Sequence, residues 1–290
     1  TATSAVFTGV NGQTYRFYSR ATDHAGNAEA APLTADATTL VDVAAPVSAA
    51  SSPAYSTAAA FAVTWTGSDA ESSVASYDVY VAVDGGGYTR WLTATTATSA
   101  VFIGTHGQTY HFYSRATDAA GNVETAPASA DTSTLVDLVA PTSAVAALPA
   151  FVNTTAFSVT WSGSDATSGL AHYDVYVSDN GAPYALWQAG VVVTSATYSG
   201  AVNGHTYRFY SRATDAAGNE EAAPSAPDAQ TTISLDEPTS VVSPLLPYQT
   251  TNNFLVMWSG SDPIWGVRDY TIYVSVDGGP YTAWLTDTAL

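Results

Sequence analysis

The sequence predicts an all-β chain, built as tandem seven-stranded β-sandwiches. Three observations lead there. A stretch of thirteen residues returns three times, as YRFYSRATDHAGN at Tyr15–Asn27, YHFYSRATDAAGN at Tyr110–Asn122 and YRFYSRATDAAGN at Tyr207–Asn219. The same period recurs elsewhere: Tyr15, Tyr110 and Tyr207 are 95 and 97 residues apart, and Trp65, Trp161 and Trp258 are 96 and 97 apart. A unit of about a hundred residues can bury its own core, unlike the short units of a solenoid. Within each unit apolar and polar residues alternate with period two, and no apolar stripe of period 3.6 is sustained.

The second unit gives the order of elements. It opens near Ala45-Pro46, where proline suits a linker or an edge. Ala60–Thr66 predicts strand B, with Phe61, Val63 and Trp65 on one face. Gly67-Ser68-Asp69 starts a loop, and Tyr77–Val83 predicts strand C with Tyr77, Val79 and Val81 inward and Asp78 and Tyr80 outward. Asp84-Gly85-Gly86 is a turn signal leading into C′ at Tyr88–Leu92. Thr98–Phe102 predicts strand E, and His106-Gly107 turns the chain into strand F. In F, Tyr110, Phe112, Ser114 and Ala116 share one face, while His111, Tyr113, Arg115 and Thr117 share the other. Asp-Ala-Ala-Gly-Asn closes a turn, with Gly121 free to take a positive φ, and strand G follows near Asp131–Val136.

These residues resemble a known family. Trp65 on B, Tyr77-Asp78-Val79-Tyr80 on C and Tyr110 through Ala116 on F are similar to the fibronectin type III and Ig-like repeats that bacteria string together in surface adhesins and secreted enzymes. The likeness covers the whole chain and implies the fold; it is weak for function, because this fold carries unrelated roles. Four segments result: 1–42, the back half of a sandwich (strands E, F and G); 43–138 and 139–235, two complete sandwiches; and 236–290, the front half of another (A, B, C and C′). TSAVFTG at Thr3–Gly9 matches TSAVFIG at Thr98–Gly104, and YTAWL at Tyr281–Leu285 matches YTRWL at Tyr88–Leu92. Two readings fit this arrangement. One is a window on a longer array of flanking repeats. The other is a head-to-tail filament of neighbouring copies, in which the front half of one chain completes the back half of the next.

Composition narrows the function. With 25 acidic residues against seven basic ones, all arginine, the formal charge is −18, which disfavours nucleic acid and anionic membranes and attracts cations. There is no cysteine, so neither disulfides nor thiolate metal sites arise. No apolar run is long enough to span a bilayer, so no membrane insertion is expected. His24, His106, His111, His172 and His205 occupy non-equivalent or turn positions and belong to no nucleophile motif, so no catalytic residue is assigned and the segment is read as not an enzyme. Asn153-Thr154-Thr155 is a lone glycosylation triplet.

Two candidate sites remain. In a fibronectin-type sandwich the B–C and F–G loops lie at the end where the chain enters from the preceding unit. That end would gather Asp42 from the linker, Asp69 and Glu71 from B–C, and Asp118, Asn122 and Glu124 from F–G. The next junction offers Asp137, Asp165, Asp215, Asn219 and Glu221. Hard oxygen ligands from several segments suit Ca²⁺, which takes roughly six to eight of them; the same residues also serve as turn caps. The third junction departs from the pattern, with Asp236-Glu237-Pro238 and Asp262-Pro263. The second candidate is the outer face of the C–C′–F–G sheet: Tyr80, Tyr113, Arg115 and, if C′ keeps register, Trp91, with Tyr176, Tyr210, Arg212 and Trp187 as equivalents. Such a face stacks on sugar rings, or forms a cross-strand ladder with arginine over aromatic faces. The reading is an extracellular or cell-surface structural protein, the stalk or fibre of a larger assembly stiffened by interdomain calcium. The alternative is a glycan-binding accessory module of a secreted polysaccharide-degrading enzyme.

Overall fold

The computed structural model describes residues 3–289, so Thr1, Ala2 and Leu290 of the predicted terminal segments lie outside the described residues. Every regular element described is a strand, and no helix is long and apolar enough to cross a membrane. Strands β1 (Thr14–Phe17) and β2 (Ala37–Leu40) pair antiparallel, Tyr15 opposite Thr39. They are the expected F and G. Thr3–Gly9, expected as strand E, forms no strand. In the complete repeats strand E pairs with strand B, and no strand B lies beside it here.

The next repeat is complete. It contains β3 (Val47–Ser51), β4 (Tyr55–Ser56), β5 (Ala60–Ser68), β6 (Val74–Val83), β7 (Thr89–Thr95), β8 (Ser99–Ile103), β9 (Thr109–Asp118) and β10 (Thr132–Val136). One sheet has the order β3-β5-β8 and the other β4-β10-β9-β6-β7. The opening strand is split: β3 pairs antiparallel with β5, while β4 crosses over to pair parallel with β10. Pro53 lies between the two pieces, and without an N–H it cannot continue the ladder. The following repeat repeats this plan with β11 (Thr142–Val145), β12 (Phe151–Val152), β13 (Ala156–Ser164), β14 (Leu170–Asp179), β15 (Ala185–Val191), β16 (Ser195–Ser199), β17 (Thr206–Asp215) and β18 (Ala229–Ile233). Last come two hairpin-like pairs, β19 (Thr239–Val242) with β20 (Trp258–Ser261), and β21 (Asp269–Val274) with β22 (Thr282–Ala289). The chain is thus all-β, built of two-sheet β-sandwiches as the sequence predicts. Its contacts divide it into two compact units. The first runs to Val139 and includes Ala166–Ser168 and Ala216–Asn219. The second holds Ala140–Asp165, Gly169–Asp215 and the described residues from Glu220 on.

The alternation read from the sequence fills the core. Phe61, Val63 and Trp65 of β5 meet Tyr77, Val79 and Val81 of β6 and Tyr110, Phe112 and Ala116 of β9, all buried. Trp65 is 1% exposed, and its Nε1 donates to Ala97 O at 2.7 Å, so the one polar atom of the ring is satisfied. The Tyr110 hydroxyl accepts from Thr105 N at 2.9 Å and donates to Gln108 Oε1 at 2.7 Å, pinning the turn before β9. Gly104 precedes that turn. A Cβ there would stand 2.7 Å from Val136 Cγ2 and 2.8 Å from Tyr110 Cε2, so a larger residue would displace the core.

The two sheets are also joined by carboxylates. Glu124 accepts from Ser48 N at 2.8 Å and Ser48 Oγ at 2.5 Å on β3, and from Ala116 N at 2.9 Å on β9. Asp131 accepts from Ala50 N at 2.7 Å and Ser114 N at 3.0 Å. Glu221 and Asp228 make the same bonds to Ser143, Ala213, Val145 and Ser211.

Candidate functional site

The first joint lies within the first unit. Asp69 follows the end of β5, and its Oδ1 accepts from Glu71 N at 3.0 Å and Ser72 N at 2.8 Å, shaping the B–C loop. That shape aims Glu71 at the preceding segment, where Glu71 Oε1 accepts from Asn11 Nδ2 at 3.1 Å. Asp42 accepts from Ala44 N at 3.1 Å. Asp118 and Asn122 form the F–G turn: Asn122 N and Nδ2 each donate to the Asp118 carboxylate at 2.8 Å, and Asn122 Nδ2 also reaches Asp42 O at 3.3 Å. Burial of Asp118 works to raise its pKa, but hydrogen bonds from Asn122, Gly121 and Ala120 together outweigh it and hold the group below the usual carboxylate value.

One oxygen from each of Asp42, Asp69 and Glu71 falls within 4.8 Å of the others. Two buried oxygens, Asp42 Oδ2 and Glu71 Oε2, have no hydrogen-bond donor. Three like charges with orphaned buried oxygens are costly as they stand and suit a hard divalent cation. Glu124 is not in this group, since both its oxygens serve the inter-sheet bonds. Of the residues expected at the next junction, Asp137 is fully buried and accepts from Val139 N and Ser168 N, both at 3.1 Å. Asn219 Nδ2 donates to Asp137 O at 3.0 Å. Asp165 accepts from Gly169 N at 2.9 Å, Asp215 is buried at the end of β17, and Glu221 holds the sheets together. Asn11 was missed by sequence reasoning, although Asn203 repeats it: both accept from a linker N–H, Val43 N at 2.7 Å and Leu235 N at 2.8 Å, while His106 stands at the same place in the unit between.

On the outer face, Tyr80 and Tyr113 stack with centroids 4.7 Å apart and planes at 15°, and Tyr88 meets Tyr113 edge-on at 4.6 Å. Arg90 lies 5.4 Å over the Tyr80 ring, and its Nε donates to the Tyr80 hydroxyl at 3.2 Å. The next repeat reproduces the triad: Tyr176 on Tyr210 at 4.7 Å and 16°, and Tyr184 edge-on to Tyr210 at 4.7 Å. Burial raises the pKa of Tyr113, Tyr88, Tyr184 and Tyr210, so all four hydroxyls are protonated at neutral pH. Arg115 and Arg212 do not cover these rings; each Nε donates to a main-chain carbonyl of the F–G segment, Glu124 O at 2.8 Å and Glu221 O at 2.7 Å.

Trp91 and Trp187 correct the expectation. Both turn inward, Trp91 against Trp65 at 6.3 Å and Phe102 at 5.2 Å, and Trp187 against Trp161 at 6.2 Å. The reason is register: β7 slips past β6 between Tyr77 and Tyr80, and β15 past β14 between Tyr173 and Tyr176, so C′ does not keep step. The exposed rings of the face are instead Tyr88 and Tyr184, at 41% and 38% exposure. Their signal was legible as the tyrosine that follows each Asp-Gly or Asn-Gly turn, Tyr88, Tyr184 and Tyr281.

No family model matches the chain. Chitinase A1 of Niallia circulans is 33% identical over 186 residues, 63% of this chain and 25% of that protein. Exoglucanase B of Cellulomonas fimi is 34% identical over 241 residues, 78% of this chain and 21% of that protein. The chain therefore spans a quarter or less of these relatives. Among solved structures, the chicken CNTN1 FN1-FN3 domains match with a TM-score of 0.40 and 15% identity, covering 68% of this chain and 70% of that one. A two-domain fibronectin type III segment of chicken tenascin matches with a TM-score of 0.27 and 13% identity, covering 62% and 95%.

Proposed function

We propose that this chain is a non-catalytic accessory segment of a secreted polysaccharide-degrading enzyme, and that it contacts the polymer through its tyrosine triads. What carries the reading is the likeness to a chitinase and an exoglucanase over most of the chain but only a fraction of either enzyme. It is preferred on that ground to the stalk of a surface assembly. Cellulose and chitin walls lie outside the cell that degrades them, which supports an extracellular location for the segment. Tyr88 and Tyr184 offer half-open aromatic faces beside hydroxyls, the combination that suits the C–H face and rim of a neutral sugar ring. The formal charge of −18 disfavours anionic polymers and leaves neutral ones. Replacing Tyr88 and Tyr184 by alanine tests this: retention on insoluble chitin or cellulose falls in each single variant and further in the double. Unchanged retention removes the tyrosines from the account.

A second reading concerns calcium at the first joint, favoured by the two donorless oxygens of Asp42 and Glu71. Asp42, Asp69 and Glu71 would hold the ion, which would neutralise their mutual repulsion and stiffen the linker. Calcium then raises the melting temperature by mass action. A melting curve that chelator leaves unchanged, together with no metal in the purified chain, contradicts it.

A further inference from the structure

We propose that Asn180 is a site of spontaneous covalent modification, the loss of its side-chain amide as ammonia, and that the fold directs this chemistry to Asn180 rather than to the other two Asn-Gly pairs of the chain. The inference is independent of the proposed function.

An asparagine followed by glycine is open to this reaction because glycine has no side chain to shield its main-chain nitrogen. The chain holds three such pairs, Asn11-Gly12, Asn180-Gly181 and Asn203-Gly204. The glycine nitrogen, having given its proton to solvent base, attacks the asparagine Cγ. The Cγ–Nδ2 bond breaks, and Nδ2 leaves as ammonia with a proton from solvent. A five-membered imide remains. Water opens it at either carbonyl, giving an aspartyl residue or its isomer linked through the side chain. The net change is one water taken up and one ammonia released, with no oxidation and one negative charge gained.

Two of the pairs are locked. Asn11 Oδ1 accepts from Val43 N at 2.7 Å and its Nδ2 donates to Glu71 Oε1 at 3.1 Å, while Gly12 N donates to Val41 O at 2.8 Å. Asn203 Oδ1 accepts from Leu235 N at 2.8 Å and its Nδ2 donates to Asp236 Oδ2 at 2.8 Å, while Gly204 N donates to Ile233 O at 2.9 Å. Each amide is held from both ends, and each attacking nitrogen already donates its hydrogen to a carbonyl. Reaction at these two places requires the turn to open first.

Asn180 lacks these restraints. It is exposed in the turn between β14 and β15, and among the described residues no hydrogen bond holds its side chain or Gly181 N. The turn is closed by Ala182 N donating to Asp179 O at 2.9 Å, with Asn180 and Gly181 both left-handed at φ 50° and 84°. An exposed side chain changes rotamer within nanoseconds, so Cγ is free to meet Gly181 N.

The fold also accepts the product. Asp84 and Asp277 stand at the equivalent places in the same left-handed conformation, φ 49° and 52°. Asp84 Oδ1 accepts from Thr109 N at 2.8 Å, and Thr206 is the equivalent of Thr109. Arg208 Nη1 lies 4.0 Å from where a Cβ on Gly181 would stand, so the new charge has a cation nearby. The isomer fits less well. Its extra main-chain carbon lengthens the turn that sets where Tyr184 meets Tyr210, so ageing at Asn180 disturbs one tyrosine triad and leaves that of Tyr88 unchanged.

The test uses the whole 290-residue chain, held warm at mildly alkaline pH and sampled over time by peptide mapping with mass spectrometry. Loss of the amide at Asn180 should run at least roughly tenfold faster than at Asn11 or Asn203, the factor expected where hydrogen bonds must break first. In urea, where those bonds are gone, the three rates should converge. Far-ultraviolet circular dichroism checks that the native samples stay folded throughout. No conversion at Asn180, equal rates at the three places in the folded chain, or a lead for Asn180 that urea does not reduce overturns the proposal.

Discussion

Trp65 belongs to the buried core of its repeat. It is the largest fully buried side chain of that core, and its indole N–H has a main-chain acceptor. Trp65→Ala removes the ring and leaves a cavity, and should destabilise the first unit by roughly 3–5 kcal/mol in denaturant unfolding. Asp118 makes a pH-dependent contribution. Its folded pKa is depressed below the ordinary 3.8, so its stabilisation is present above that value and is lost as pH falls through the folded one. Acid unfolding of Asp118→Asn should therefore show a shallower loss of stability below about pH 4 than the parent. The inward residues of strands B, C and F were legible because alternation alone assigns their faces. Asn11 was not, because its contact with Glu71 spans sixty residues of chain and depends on where the linker turns.

Strands F and G fell close to their expected limits, and Asp84-Gly85-Gly86 and Gly107 end C and precede F as read; Gly67, expected to open a loop, instead lies inside β5 opposite Ser48, and β6 begins three residues ahead of Tyr77. The split opening strand and the inward Trp91 were not legible. Both depend on cross-strand register, and a slip of one residue exchanges the faces of a strand without altering its own pattern. The carboxylate latches were hidden for a related reason. Glu124 and Asp131 look like loop acids until β3 is brought over β9. Glu124→Ala deprives Ser48 N, Ser48 Oγ and Ala116 N of their shared acceptor, and should cost roughly 2–4 kcal/mol by thermal or denaturant unfolding. At the joint, Asp42→Asn/Glu71→Gln should abolish any rise in melting temperature with calcium while leaving the melting temperature in chelator equal to or above that of the parent, because the repulsion is relieved as well.

At the scale of the whole chain, the repeat of about a hundred residues was the most legible feature, and it gave the sandwich architecture that the structure displays. Function was much less so. The fold serves many ends, and what distinguishes this chain is a pair of tyrosine triads and an acidic joint built from residues that any turn or ladder also uses. The proposed role of these sandwiches is to accompany an enzyme on its polysaccharide and hold on to it. The direct measurement is a depletion isotherm of the 290-residue chain on insoluble chitin and cellulose, with soluble oligosaccharide as competitor. The account predicts saturable retention on at least one polymer, competed by its own oligosaccharide. Retention no greater than that of an inert protein, on both polymers, would contradict it.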